Sequence, residues 1–237
     1  MMELWSESVR QIADALAGRV RPVGGCVRDR LLGQPAGDTD LATPVRPKEV
    51  LDALKNAGIK AWPITMKRGV VMAKAGDETL EIATLRRDLF SPDGTEKTTF
   101  ITDWQEDSVR RDFTINALYL GADGTIYDYH GGQEDLAAGR VRFIGDPARR
   151  LWEDGLRILR YMRFWARFGR GEPDPAVVAL FPETAGRLGL VSLNRREKEI
   201  QKILAGDKTD TILTILTKTG VMAHLSDVAA LKTYGGF

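Results

Sequence analysis

Apolar and polar residues alternate with two different periods along the chain. Up to about residue 145, segments with helical periodicity are interspersed with short alternating or apolar segments that predict strands. The predicted helices span residues 6–18, 26–32 and 47–57, and the predicted strands span residues 20–23, 38–42, 70–75, 79–85, 117–120 and 125–129. From Asp146 onward helices dominate. The pattern predicts a mixed α/β first domain, residues 1–145, and an all-helical second domain, residues 146–237.

Turn residues mark the ends of several of these elements. Gly58 follows a predicted helix and is expected to cap it in the left-handed conformation. Residues 121–124 separate two predicted strands and indicate a hairpin. Residues 87–103 are polar, with Pro-Asp-Gly near the centre, and we expect a long mobile loop there.

Composition excludes several classes of protein. The 237 residues contain 43% hydrophobic and 28% charged residues, which is ordinary for a globular protein, and the net charge of +1 favours no particular partner. A single cysteine, Cys26, excludes internal disulfides and fits a reducing, cytoplasmic setting, and we expect no signal peptide. No apolar run is long enough to span a membrane, and the sequence predicts no particular oligomeric state.

The distribution of charge is more informative than its sum. Seven arginines lie between Ala148 and Arg170, against only Glu153 and Asp154. A local basic stripe is typical of polyanion binding, but arginine-rich helices are also often simply solvated. Both interpretations remain open at this point.

Three carboxylates could hold a divalent cation. Asp38 and Asp40 project to the same side of an extended segment, and Mg²⁺ prefers carboxylate oxygens while leaving sites open for phosphate. Glu81 lies in an otherwise apolar segment and could supply the third carboxylate of a phosphoryl-transfer site. The alternatives are loop chemistry for the aspartates and an edge strand on which Glu81 faces water.

Gly24 and Gly25 lie where a predicted strand turns into a helix. Their missing side chains let a ligand approach the backbone, the start of the helix favours an anion, and Arg28 could bind a triphosphate. The glycine spacing matches neither the dinucleotide fingerprint nor a P-loop. A pair of glycines alone is weak evidence for a phosphate site.

The helix predicted over residues 150–170 has one apolar arc, formed by Ile158, Leu159, Met162 and Trp165, and an arginine arc beside it. Asp154 and Arg157 are neighbours three residues apart. They form either an ordinary helical ion pair or a donor–acceptor pair that matches the edges of cytosine and adenine but not of uracil and guanine.

Five segments in this order resemble the class II tRNA nucleotidyltransferase and bacterial poly(A) polymerase family. They are VGGCVRDRLLG, DTDLAT, LEIATLRRD, EDSVRRDFTINALY and LWEDGLRILRYMRF, and the resemblance covers residues 20–170. It implies an α+β fold: a polymerase-β-like nucleotidyltransferase head, with a mixed sheet flanked by helices, followed by an all-helical neck.

The resemblance also implies a role for each candidate residue. Asp38 and Asp40 match metal-binding aspartates for Mg²⁺, and Glu81 matches the third catalytic carboxylate. The positions matching nucleotide-binding residues are Gly24, Gly25, Arg28, Arg111, Asp112, Asp154, Arg157, Arg160 and Arg163. Asp154 and Arg157 would pair with the base of CTP or ATP. The implied activity is template-independent addition of CCA to the 3′ end of tRNA, with release of pyrophosphate.

Two features depart from the family pattern. A later segment of the family usually reads Ser-x-Glu-Arg, whereas this chain has Ser192, Asn194 and Arg195. Family members also continue into body and tail domains that grip tRNA. Because this sequence stops at Phe237, we expect the body and tail to be absent or truncated.

Alternatives remain within and outside this chemistry. A CC-adding or A-adding specialist and a poly(A) polymerase use the same site. In the family the mobile loop is linked to the switch from CTP to ATP, so the length of residues 87–103 favours a CCA- or A-adding enzyme. A non-catalytic RNA-binding module would tolerate loss of the carboxylates, and here all three are present.

Overall fold

The structure, a computed structural model, describes residues 4–35, 37–91 and 95–235. The chain divides into two compact units after Gln133, inside the fifth helix. The helices are α1 (Glu7–Ala15), α2 (Gly25–Leu31), α3 (Pro47–Asn56), α4 (Trp104–Val109), α5 (Gly132–Ala138), α6 (Pro147–Glu153), α7 (Leu156–Phe168), α8 (Pro175–Val178), α9 (Phe181–Thr184), α10 (Leu193–Leu204), α11 (Thr209–Lys218) and α12 (Ala229–Gly235).

All strands of the described residues belong to the first unit. They are β1 (Arg21–Pro22), β2 (Asp40–Thr43), β3 (Lys60–Thr65), β4 (Val70–Ala75), β5 (Glu78–Thr84), β6 (Arg86–Phe90), β7 (Glu96–Phe100), β8 (Leu118–Leu120) and β9 (Ile126–Asp128). Five form a mixed sheet in the order β1-β2-β5-β4-β3, in which only β2 and β5 run parallel. Two hairpins, β6–β7 and β8–β9, complete the unit.

Helices α1 and α3 cover one face of this sheet. Val9 and Ile12 of α1 and Leu54 of α3 belong to the same core cluster as Val71 and Ile82 of the central strands. Ser6 caps α1 by accepting a hydrogen bond from the Val9 amide, which satisfies one of the first free backbone donors. The predicted mixed sheet flanked by helices is therefore confirmed.

The second unit is helical throughout its described residues. Ile158, Leu159, Met162 and Trp165 are buried, as the apolar arc of the predicted helix requires. Helix α7 packs against α10, and Tyr161 stacks on Phe143 with 5.6 Å between ring centroids. The predicted all-helical character of this part of the chain is confirmed.

The expectation of a long loop over residues 87–103 is wrong for the described part of that segment. Strands β6 and β7 pair from Arg86–Phe100 to Phe90–Glu96. Polar pairs stabilise the hairpin: Thr98 donates a hydrogen bond to Asp88, which also pairs with Arg86. The half-buried face carries the polar residues Arg86, Asp88 and Thr98, and Leu89 lies on the exposed face, so the alternating apolar signal of a half-buried strand is missing. The Pro-Asp-Gly turn predicted at its centre, residues 92–94, lies outside the described residues.

Strand β3 and helices α4 and α5 also escaped the sequence analysis. Strand β3 contains Pro63, which argues against a strand, but β3 is the edge of the sheet and its register is irregular between Pro63 and Thr65. Helix α4 has only six residues, too few to show a period. The predicted αL cap at Gly58 is confirmed by its φ of +73°.

Gly69 should be far less tolerant of substitution than Gly58, although both have positive φ. A Cβ at Gly69 would lie 2.6 Å from the Phe100 ring and 2.9 Å from Thr84, whereas nothing lies within 4 Å at Gly58. We expect Gly58→Ala to cost about 1 kcal/mol, since only the backbone is strained. Gly69→Ala should cost about 2–4 kcal/mol, since overpacking adds to that strain. Chemical denaturation of the two variants measures the difference, and equal losses would contradict the predicted clash.

Candidate active site

The two central acidic residues lie opposite each other on adjacent parallel strands. In the pairing of β2 with β5, Asp40 is opposite Glu81, and the next pair is Leu41 with Ile82. The acidic residues are exposed, whereas Leu41 and Ile82 are buried. Since side chains alternate along a strand, the register that buries the apolar pair also brings the two carboxylates together on the other face.

Asp38 contributes a third negative charge beside this pair. The pKa of Asp40 is raised from 3.8 to about 6. The largest cause is the protein packed around the carboxyl, which reduces its hydration, and the charges of Glu81 and Asp38 raise the pKa further. Arg111 acts in the opposite direction and lowers it. Asp38, Asp40 and Glu81 thus share one electrostatic environment.

The donor set is chemically suited to a hard divalent cation. Carboxylates that disfavour one another's ionisation gain from a positive charge between them, and oxygen ligands suit Mg²⁺. Over residues 4–35, 37–91 and 95–235, no three acidic, histidine or cysteine side chains lie close enough to hold a metal ion as they stand. The carboxylates of Asp38, Asp40 and Glu81 are therefore near one another, but they would have to move closer to bind one ion.

The diglycine turn lies between two guanidinium groups. Gly24 has φ +78° and ψ −125°, a backbone conformation that residues with a side chain rarely adopt. Helix α2 begins at the next residue, Gly25. A Cβ at Gly24 would lie 3.6 Å from the Arg111 guanidinium, and one at Gly25 would lie 3.5 Å from that of Arg28. The glycines thus allow two positive charges to approach the backbone closely.

Arg28 is buried and its guanidinium is held in place. It donates to Asp29 at 2.8 Å and to the side-chain oxygen of Asn116 at 2.5 Å. Asn116 in turn donates to Asp112 at 3.0 Å. Asp112 therefore orients Asn116, which orients Arg28. Asn116 was not predicted as a site residue, and its place in RRDFTINA, four residues after Asp112, was the only available signal.

Arg111 connects the diglycine turn to the carboxylates. It lies beside Gly24 and influences the charge of Asp40. Its guanidinium donates to the Tyr119 hydroxyl at 3.2 Å and to Asp107 at 3.4 Å. The sequence analysis missed Asp107 and Tyr119, although Asp107 lies one helical turn before Arg111.

Asp107 is fully buried and links this site to the β6–β7 hairpin. One carboxylate oxygen accepts from the Arg86 amide and from Arg110, and the other accepts from Tyr119 at 2.8 Å and from Arg111. Burial alone would raise the pKa of Asp107, but Arg110, Arg111 and these hydrogen bonds outweigh it and hold the pKa below the ordinary value. The carboxylate stays ionised and fixes the direction of Arg111.

In the helical unit, Asp154 and Arg157 are each held by a further residue. Asp154 accepts from the Leu156 amide at 3.1 Å and from Arg195 at 2.7 Å. Arg157 donates to Glu153 and to the Arg150 carbonyl, both at 2.8 Å. The two side chains are thus fixed at the start of α7. Arg195 follows Asn194, the residue that differs from the family's Ser-x-Glu-Arg pattern, and it was not predicted to contact Asp154.

Much of the basic stripe is neutralised locally. Arg149, Arg150 and Arg157 all pair with Glu153, whose side chain is 9% exposed. Arg163 pairs with buried Glu199 of α10 at 2.5 Å. Arg160 lies over the Phe164 ring, 5.3 Å from its centroid. The interpretation of the stripe as one solvated face is therefore incomplete, because several of its members hold the helices together.

Comparison with known proteins agrees with this fold. The family described as the poly(A) polymerase head domain matches residues 20–142. The Bacillus stearothermophilus CCA-adding enzyme in complex with CTP superposes with a TM-score of 0.82 and 32% identity, covering 97% of this chain and 55% of that chain. The first unit thus has the polymerase-β-like nucleotidyltransferase fold. The chain belongs to the class II tRNA nucleotidyltransferase and poly(A) polymerase family.

Relatives from distant organisms are similar over most of this chain. The mitochondrial CCA tRNA nucleotidyltransferase 1 of Mus musculus is 36% identical over 228 residues, covering 94% of this chain and 52% of its own length. The CCA-adding enzyme of Geobacillus thermodenitrificans is 35% identical over 212 residues, covering 87% and 50%. The chain therefore spans about half the length of these relatives. In the described residues, no helix is both long and apolar enough to cross a membrane.

Replacing Asp107 with Asn should destabilise the first unit in a pH-dependent way. The variant removes the buried carboxylate that Arg110 and Arg111 share, and we expect a loss of about 3 kcal/mol at pH 7. Since the folded pKa of Asp107 is lowered, its contribution is complete above its ordinary pKa of 3.8 and disappears as the pH falls through the folded value. Urea unfolding from pH 7 to pH 2 should show the two proteins converging. The exposed Asp52→Asn variant is the control, and a constant Asp107 difference would contradict this account.

Proposed function

We propose that this chain adds CCA, from CTP and ATP, to the 3′ end of tRNA without a nucleic-acid template. The observation that carries the proposal is that Asp40 on β2 lies opposite Glu81 on β5. The diglycine turn, which lies beside Arg111, precedes β2 in the chain. The CCA-adding names of the relatives support it, as does the likeness to a tRNA nucleotidyltransferase complexed with a primer tRNA and an incoming ATP analog, at 30% identity and a TM-score of 0.70.

The two parts of the chain would have separate tasks. Residues 1–145 would form the catalytic head, and residues 146–237 the neck that recognises the base, together with the start of a body domain. The length of residues 87–103 favours a CCA-adding or A-adding enzyme over a CC-adding one, although the described part of this segment forms strands β6 and β7 and not the expected loop. The relatives include mitochondrial enzymes, and we propose a cytoplasmic location for this chain from its single, buried cysteine.

Asp38 and Asp40 would hold Mg²⁺, with Glu81 orienting the attacking side of the site. The ion would supply charge that lowers the pKa of the RNA 3′-hydroxyl and offsets the developing charge of the pyrophosphate. Arg111 would bind the triphosphate directly, since Asp107 and Tyr119 aim its guanidinium toward the diglycine turn. Arg28 would contribute positive charge to triphosphate binding from its position beside Gly25, where Asp29 and Asn116 hold its guanidinium.

Base selection would depend on Asp154 and Arg157. The exocyclic amino group of cytosine or adenine would donate to the Asp154 carboxylate, while the Arg157 guanidinium would donate to the adjacent ring nitrogen. Ion pairs with Arg195 and Glu153 hold the Asp154 and Arg157 side chains in place. Arg160 and Arg163 would support the helix on which the pair lies.

Asp40→Asn should abolish nucleotide incorporation while leaving the fold intact. Loss of a ligand to the catalytic ion removes several kcal/mol of transition-state stabilisation, so the rate should fall by about 10³-fold or more. The measurement supplies tRNA ending at the discriminator, at C or at CC, with each nucleotide singly and together, and sequences the products.

Binding of Mn²⁺, followed by electron paramagnetic resonance, provides a second readout of Asp40. A carboxyl with a pKa of about 6 should make binding about tenfold weaker at pH 5 than at pH 7. Asp52→Asn, on the exposed surface of α3, is the matched control. Unchanged incorporation by Asp40→Asn would exclude Asp40 as a metal ligand.

Asp154→Asn should relax selectivity at the incorporation step. The amide keeps the shape of the side chain but presents a donor, so discrimination against UTP and GTP should fall by about 5- to 150-fold, the equivalent of about 1–3 kcal/mol. The ratio of kcat/KM values for the four nucleotides measures this effect. Arg157→Ala should relax the same ratio, and intact selectivity in both variants would rule out the base-pairing role.

A further inference from the structure

A cavity of about 660 Å³ lies within the helical unit, between α7 and the turn that joins α10 to α11. Four of its lining side chains are positively charged and one is acidic. They are Arg163, Arg167, Lys202, Lys208 and Asp207. The cations come from two segments that are separated by more than thirty residues in the sequence, so only the fold brings them together. We refer to this cavity as the basic groove.

Aromatic rings hold three of these cations in place. The Lys208 ammonium lies 4.4 Å from the centroid of Trp165, and Arg163 and Arg167 lie over Phe164 and Phe168 at 4.4 and 4.8 Å. A ring attracts a cation through its quadrupole but carries no net charge. These contacts therefore restrict the side chains without cancelling their positive charge.

The lysines of the groove differ from the other basic residues of this unit. Arg149, Arg150 and Arg157 share Glu153, and Arg195 and Arg196 pair with Asp154 and Asp227. In contrast, Lys202 and Lys208 have no hydrogen bond or ion pair to an acidic side chain among the residues that the structure describes. Arg163 is balanced by Glu199, so the excess positive charge of the groove is carried by the two lysines.

The segment that carries the lysines, the last turn of α10 and the turn that follows it, is anchored by side-chain hydrogen bonds. The Thr209 hydroxyl lies 2.8 Å from the carbonyl oxygens of both Ile203 and Gly206, and so bridges the last turn of α10. Arg163 and Arg167 are four residues apart, which is about 6 Å along a helix. The two arginine charges are thus spread along α7 instead of converging on one point, an arrangement suited to successive phosphates of a strand.

We propose that the basic groove binds the phosphodiester backbone of the RNA substrate. This proposal rests on the proposed function for the identity of the RNA. A groove lined by cations and a single carboxylate neutralises phosphates without distinguishing bases. It would therefore contribute affinity and orientation, while base selection stays with Asp154 and Arg157.

The double variant Lys202→Gln, Lys208→Gln tests the groove. Binding of a fluorescent tRNA that lacks its CCA end is measured by anisotropy over a series of salt concentrations. A plot of log K against log salt has a negative slope, and each lost phosphate contact should reduce its magnitude by about 1. The slope of the double variant should therefore be smaller in magnitude by about 2. Its affinity at low salt should fall about tenfold or more. Thermal unfolding checks that both proteins are folded.

The control is the double variant Lys55→Gln, Lys218→Gln. It makes the same change in net charge at two exposed lysines that do not line the groove, and its salt slope should equal that of the wild type. The proposal is overturned if both double variants lose the same slope, if neither loses any, or if the wild type does not bind the tRNA. It is also overturned if only the KM for CTP or ATP rises, since the groove would then bind free triphosphate.

Asp40→Asn separates this proposal from the proposed function. That variant should bind tRNA with the wild-type salt slope although it cannot extend it, because Asp40 lies outside the groove. A wild-type protein that binds tRNA with the expected slope but never extends it would contradict CCA addition and leave the groove assignment standing.

Discussion

The parallel pairing of β2 with β5 is the constraint on which the candidate active site depends. It places Asp40 opposite Glu81, and their mutual repulsion is tolerated because the same register buries Leu41 and Ile82. A shift by one residue would turn the carboxylates into the core and the apolar side chains into water. The energy of the core therefore holds in place an electrostatic arrangement that would be unfavourable by itself. A metal ion would relieve that repulsion.

Arg111 is the second point of convergence, and it is held by a buried charge. Asp107 fixes its guanidinium between the diglycine turn and Asp40, and also binds the first amide of the β6–β7 hairpin. A single carboxylate thus connects the hairpin to the side chain that would bind the triphosphate.

The helical unit uses its arginines in two different ways. Those at the start of α7 are paired with Glu153, which fixes the ends of α6 and α7, whereas those further along contact aromatic rings or Glu199. Of the seven arginines, Arg163 and Arg167 line the basic groove, where Lys202 and Lys208 add positive charge. The fold thus gives arginines of one stripe different surroundings.

The sequence by itself determined the elements with strong periodicity, the αL cap at Gly58, the buried arc of α7 and, through five ordered segments, the family. These features depend on local spacing, which the chain carries without its fold. Only the tertiary structure decided that Arg86–Phe90 and Glu96–Phe100 pair as strands, because polar pairs stabilise them without an apolar period. It also decided the partners of the site residues. Asn116 for Arg28 and Arg195 for Asp154 come from distant parts of the chain and leave no periodic trace in the sequence. Asp107 lies only four residues before Arg111, but the sequence does not show that its carboxylate is buried against Arg111 and Tyr119.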